Sequence, residues 1–144
     1  IDRLVASHEL GSLLSQLDGV GTQTVARVLS EVGDPASFRS AAALASYVGV
    51  VPMIRQSGHR RPQRAGTDGF GNARLRSALW MPTLTAVRVN PWLRDFYQRL
   101  LSRGKPKKLA LVAAMRKLIT AIYTVAKKRQ LFVYQVPDSA EFAC

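Results

Sequence analysis

Ser57 is the residue best placed to do chemistry. It lies in Arg55-Gln56-Ser57-Gly58-His59-Arg60-Arg61-Pro62-Gln63-Arg64, which holds four arginines, one histidine and no acid. Guanidinium forks match phosphate oxygens, and a hydroxyl among them either contacts a phosphate or attacks it. Attack on a phosphodiester requires fixed cations around the charge that develops at phosphorus. Arg55, Arg60, Arg61 and Arg64 can supply them. Gly58 admits close backbone approach, and His59 can move a proton or add one more phosphate contact. Most Ser-Gly steps are turns, so the same residues also describe a turn serine in a binding loop. Residue types alone leave both readings open.

Three further groups point to an anionic partner. Phe70-Gly71-Asn72-Ala73-Arg74-Leu75-Arg76 reads as a helix start capped by Asn72, with Arg74 and Arg76 in the first turn. The helix dipole disfavours cations there unless an anion is shared with the helix N-terminus; otherwise they are solvated arginines. Lys105-Pro106-Lys107-Lys108 repeats that pattern at a later helix start, more weakly. Leu17-Asp18-Gly19-Val20-Gly21 followed by Thr22 and Thr24 has the shape of a helix-hairpin-helix. Gly19 and Gly21 would permit a tight turn, and Thr22 with the following N–H groups would face a phosphate. An ordinary glycine-rich turn has the same residues.

The charge distribution supports a polyanion. The net charge of +12 is concentrated: residues 1–54 carry three basic and five acidic side chains, whereas residues 55–129 carry eighteen basic side chains and only Asp68 and Asp95. Surfaces kept basic for solubility usually intersperse both signs. Pro and Gly within the basic block exclude one amphipathic membrane helix. No uninterrupted apolar run approaches the roughly 18–20 residues that span a bilayer. The single cysteine, Cys144, excludes a disulfide framework and suits a reducing cytosol. Two histidines and no paired carboxylates offer no metal site, so no cofactor is expected in this segment. A chain that starts at Ile1 rather than Met reads as part of a longer protein.

The elements that must position these groups are mainly helical. Apolar spacing predicts a helix over 2–16, with Leu4, Leu10, Leu13 and Leu14 on one side. A second runs from Thr22 to near Gly33, so the helix-hairpin-helix covers about 10–33. A third runs from about Ser40 to Tyr47 over Phe38 and stops at Gly49. Residues 50–71 read as a basic loop or short β-hairpin, since Pro62 forbids a helix. Helices then fill 72–128, with a kink at Pro82, a cap at Asn90-Pro91 and a break at Gly104-Lys105-Pro106. The result is one helical domain over 1–129 and a tail or docking strand over 130–144.

The order of these pieces resembles the C-terminal domain of the IS one-ten family of insertion-sequence transposases, the recombinases guided by a bridge RNA. The resemblance runs from Leu17-Asp18-Gly19-Val20-Gly21 through Gly33-Asp34-Pro35 and Leu44-Ala45-Ser46-Tyr47-Val48-Gly49-Val50-Val51-Pro52. It continues through Arg55-Gln56-Ser57-Gly58, Gly71-Asn72-Ala73-Arg74-Leu75-Arg76, Asn90-Pro91 and Arg103-Gly104-Lys105-Pro106-Lys107. A series of matches in order is far more specific than any one motif. It implies that Ser57 is the nucleophile that cleaves and rejoins DNA through a phosphoserine link. It also implies a preceding ribonuclease-H-like domain that holds Mg²⁺ on acidic residues, a composite active site, a guide RNA, a homo-oligomer and a prokaryotic, cytoplasmic, nucleoid-associated protein. Two rivals stand beside it: a non-catalytic helix-hairpin-helix module on DNA or RNA backbone, and an assembly domain whose basic loop binds RNA.

Overall fold

In the computed structural model, residues 1–50 and 71–133 are described. They form seven α-helices and one 3-10 turn, with no strand among the described residues. The loop or hairpin expected over 50–71 and most of the tail lie outside them.

The helix expected over 2–16 is two helices, α1 (Asp2–Ser7) and α2 (Glu9–Ser15). His8 breaks the run with an extended backbone, and its Nδ1 accepts the Gly11 N–H at 3.1 Å. A residue in that capping role leaves the helical conformation. Gly11 lets the two helices close, because a Cβ there would sit 2.6 Å from the Val5 carbonyl oxygen. The break rotates the first turn, so Leu4 is 74 % exposed and Val5 enters the core in its place.

The next elements follow their local signals. α3 spans Thr22–Val32, and a 3-10 turn at Pro35–Ser37 is capped by the Asp34 carboxylate. α4 (Ala41–Val48) starts where the Ser40 hydroxyl accepts the Ala43 N–H and stops at left-handed Gly49. Phe38 packs on the Tyr47 ring with centroids 5.3 Å apart. α5 (Ala73–Val89) runs continuously through buried Pro82, which has no N–H to bond the preceding turn. Beside it, the Thr83 hydroxyl donates to the Leu79 carbonyl at 2.7 Å. α6 (Pro91–Ser102) begins at the Asn90 cap with proline in its favoured first position.

α7 (Lys107–Lys128) is the axis of the core. It packs against α2, α4, α5, α6 and the 3-10 turn. Ala110, Ala114 and Ala121 let neighbouring helices approach, while Leu118, Ile119 and Ile122 fill the spaces between them. Although Arg116 and Lys117 interrupt its apolar run, α7 is long and apolar enough to cross a membrane by length and mean hydropathy, which reaches 1.6. Half of that stretch is buried against the other helices, so its hydropathy serves a protein core.

One edge of α7 meets an aromatic shelf on α6. Lys117 Nζ lies 4.9 Å from the Trp92 ring centre and 4.6 Å from that of Phe96. Burial, then the Arg99 guanidinium, lowers the Lys117 pKa, and Asp95 partly opposes them. At the far end, Arg129 closes α7 in a left-handed conformation and pairs with Asp34. Lys127 and Lys128 in the last turn suit the helix dipole without any ligand. Beyond them, the Phe132 ring packs tilted against Trp92, with centroids 4.9 Å apart.

Candidate nucleic-acid interface

The chain leaves the described core at Val50 and re-enters it at Gly71, at a single point. Gly71 has φ +84, and a Cβ on it would lie 2.4 Å from the Gly49 nitrogen and 2.7 Å from the Tyr47 oxygen. Only glycine accepts both the left-handed backbone and that contact. Two hydrogen bonds fasten the return. The Asn72 N–H donates to the Tyr47 carbonyl at 2.7 Å, and Arg76 Nη1 donates to the Val48 carbonyl at 3.3 Å. On the outgoing side, the N–H of buried Val50 donates to the Ala45 carbonyl at 2.9 Å.

Asn72 ties three elements together here. Its Oδ1 accepts the Leu75 N–H at 3.0 Å and so caps α5. Its Nδ2 donates to Glu31 of α3 at 2.9 Å and lies 3.4 Å from the Tyr47 hydroxyl of α4. An asparagine cap stabilises by about 1 kcal/mol, and the carboxylate bond adds to it. Residues 51–70 therefore leave from and return to a fixed base. Ser57, Arg55, His59, Arg60, Arg61 and Arg64 lie in that segment, outside the described residues.

Asn72, Arg74 and Arg76 come together at this base, but in different roles. Asn72 and Arg76 are engaged with protein, whereas Arg74 is exposed and has no ion pair among the described residues. Lys105, Lys107 and Lys108 stand apart from them, exposed where α6 gives way to α7.

The α2–α3 turn sits elsewhere and has a different partner. Gly19 has φ +93, and a Cβ there would lie 2.6 Å from the Ala86 Cα on α5. The Asp18 carbonyl accepts Asn90 Nδ2 at 3.3 Å. The close approach expected of Gly19 toward a phosphate is thus made to α5, which accounts for this glycine without a ligand. Gly21 is open and caps α3 through its backbone alone, with Thr22 following as the first helical residue. These contacts lie at the C-terminal end of α5, and Asn72 lies at its start. With 17 residues in the helix, the two candidate groups are separated by about 25 Å at 1.5 Å per residue.

Glu31, Tyr47 and Arg27 belong to the base, and the sequence did not single them out. Glu31 sits 41 residues from the asparagine it binds, a pairing no local pattern signals. Tyr47 reads only as the apolar end of a helix. Arg27 reads as a lone basic residue in an acidic half. Among the described residues, no group of three or more His, Cys, Asp or Glu side chains converges as a metal site would.

Known proteins resemble this chain over most of its length. The chain is 38 % identical over 122 residues to a pilin gene-inverting protein of Moraxella bovis, covering 84 % of the chain and 38 % of that protein. It is 32 % identical over 143 residues to an uncharacterized 43.6 kDa protein of insertion element IS110 in Streptomyces coelicolor, covering 99 % of the chain and 35 % of that protein. It is 26 % identical over 138 residues to an uncharacterized 42 kDa protein of insertion element IS900 in Mycobacterium paratuberculosis, covering 92 % of the chain and 33 % of that protein. The chain therefore spans about a third to two-fifths of the length of these relatives. The family model described as Transposase IS116/IS110/IS902 family matches residues 11–98, from α2 through the basic segment into α6. The chain belongs to the IS116/IS110/IS902 transposase family.

Proposed function

We propose that this chain is the serine-bearing domain of a DNA transposase or recombinase, with Ser57 as the nucleophile. The observation that carries this reading is the base at Gly49, Gly71 and Asn72, which holds both ends of the arginine-rich segment at one point. A reacting loop must be positioned to within a fraction of an ångström, and a doubly fastened base on packed helices is the kind of support that requires. The pilin gene-inverting relatives agree with a recombination role.

In the proposed step, Ser57 Oγ loses its proton and forms a bond to a DNA phosphorus. One phosphorus–oxygen bond of the backbone breaks, and the displaced sugar oxygen leaves as a hydroxyl with a proton. The bond to serine conserves the phosphodiester energy, so attack by another sugar hydroxyl rejoins the strand without ATP. Arg55, Arg60, Arg61 and Arg64 stabilise the charge on the phosphoryl oxygens. The carboxylates and Mg²⁺ of a complete centre belong to a preceding ribonuclease-H-like domain, and a guide RNA and further copies of the chain complete the assembly. The isolated domain is then nearly inert.

The test is covalent capture. The full-length protein, its guide RNA and end-labelled target DNA are mixed and resolved under denaturing conditions. Wild type yields a protein–DNA adduct and Ser57→Ala yields none. An adduct from Ser57→Ala refutes the assignment. Salt-sensitive binding with no adduct from wild type leaves a non-catalytic binding module instead.

A further inference from the structure

Beside the base, α3 and α5 run antiparallel and leave a groove of about 560 Å³ between them. The antiparallel direction follows from two contacts: Asp18, before α3, meets Asn90, after α5, and Glu31, late in α3, meets Asn72, before α5. Arg27, Ser30 and Glu31 line it from α3, and Arg74 and Ser77 from α5. The charges in the groove are unequally engaged. Glu31 already accepts the Asn72 amide. Arg27 and Arg74 are both exposed and form no ion pair among the described residues. The Ser77 hydroxyl is exposed with no hydrogen bond among them.

Two free guanidinium groups on opposite walls suit an extended polyanion better than a compact ligand. A small anion would need both forks converging on one point, whereas a backbone carries a charge at every step. The groove opens directly beside Asn72, where residues 51–70 rejoin the core. We propose that the α3–α5 groove is a track for the backbone of the DNA strand that enters the reacting loop. Arg27 and Arg74 each hold a phosphate, and Ser77 donates to a third backbone oxygen. The contacts are to phosphate alone, so they position the strand without reading its sequence. The inference rests on the reading of residues 51–70 as the reacting loop, which the choice of DNA over RNA follows.

The experiment is a salt titration of binding with the full-length protein and its guide RNA. The probes are a fluorescein-labelled DNA of random sequence and an RNA of the same sequence. Arg27→Ala and Arg74→Ala should each reduce the slope of log K against log salt for DNA by about 1, and the double variant by about 2. Arg27→Lys with Arg74→Lys should keep the wild-type slope, which separates charge from folding. Arg88→Ala, at the other end of α5, should change it less. An unchanged DNA slope in the double alanine variant overturns the proposal, and so does a loss confined to the RNA probe. Adduct formation by wild type is scored separately. A missing adduct with a reduced slope refutes the Ser57 reading alone, and an intact adduct with an unchanged slope refutes the groove alone.

Discussion

α5 ends on an asparagine at each side, and the two ends are built for different purposes. Asn90 is 1 % exposed; its oxygen caps α6 and its amide holds the Asp18 carbonyl of the α2–α3 turn. Beside it Gly19 presses on Ala86 with no space left over. Asn72 performs the same pair of tasks, capping α5 and crossing to Glu31 of α3. Yet it is half-buried, and beside it stand exposed Arg27 and Arg74, which form no ion pair among the described residues. The same device closes a core at one end and, in the proposed reading, founds a binding site at the other. A glycine-rich turn or a capping asparagine is therefore not itself a site; what distinguishes a site is cationic capacity left unspent around it.

Substitutions at the two ends should separate these purposes. The largest effect is expected from Gly19→Ala, where a left-handed backbone and a backbone clash combine to cost about 3 kcal/mol. Its folded fraction should bind DNA normally in an equilibrium denaturation and binding series. Gly71→Ala meets the same two penalties at an exposed position, so about 2 kcal/mol is expected. It should lower adduct yield more than stability alone explains. A smaller contrast comes from the asparagines. Asn90→Ala removes a cap and strands a carbonyl, costing about 2 kcal/mol by urea unfolding. Asn72→Ala should cost about 1 kcal/mol and reduce adduct yield. If Asn90→Ala also lowers adduct yield at full folding, the distinction between the ends fails. The smallest effect is at Gly21, which is open on all sides: Gly21→Asn should improve the α3 cap by a few tenths of a kcal/mol. It should leave DNA affinity unchanged, and a clear loss would support a phosphate role for that turn.

The helix boundaries were legible because their signals are local. Ser40, Asn72, Asn90 and the glycine at 49 act within a few residues, and each cap stands where the sequence placed it. The break at His8 was missed because leucine spacing continues across it, and only the contact of Gly11 with Val5 shows why the chain must turn. The packing partner of Gly19 was illegible for a related reason. A glycine signals close approach but not to what, and its partner Ala86 is far along the chain. The base of the arginine-rich segment was half legible: Asn72 announced itself as a cap, while its tie to Glu31 depends on two helices meeting in space. The groove was illegible, since Arg27 lies in the acidic half and joins Arg74 only through the antiparallel packing of α3 on α5.

The central claim is that the base at Gly49 and Gly71 presents Ser57 to a DNA phosphorus. The most direct measurement is the identity of the linked residue in the wild-type adduct. The trapped complex is digested with nuclease and protease, and the peptide that keeps a nucleotide is sequenced by mass spectrometry. The account predicts a nucleotide phosphodiester on Ser57. A nucleotide on Tyr47 or Ser77, the exposed hydroxyls beside the same base, would contradict it.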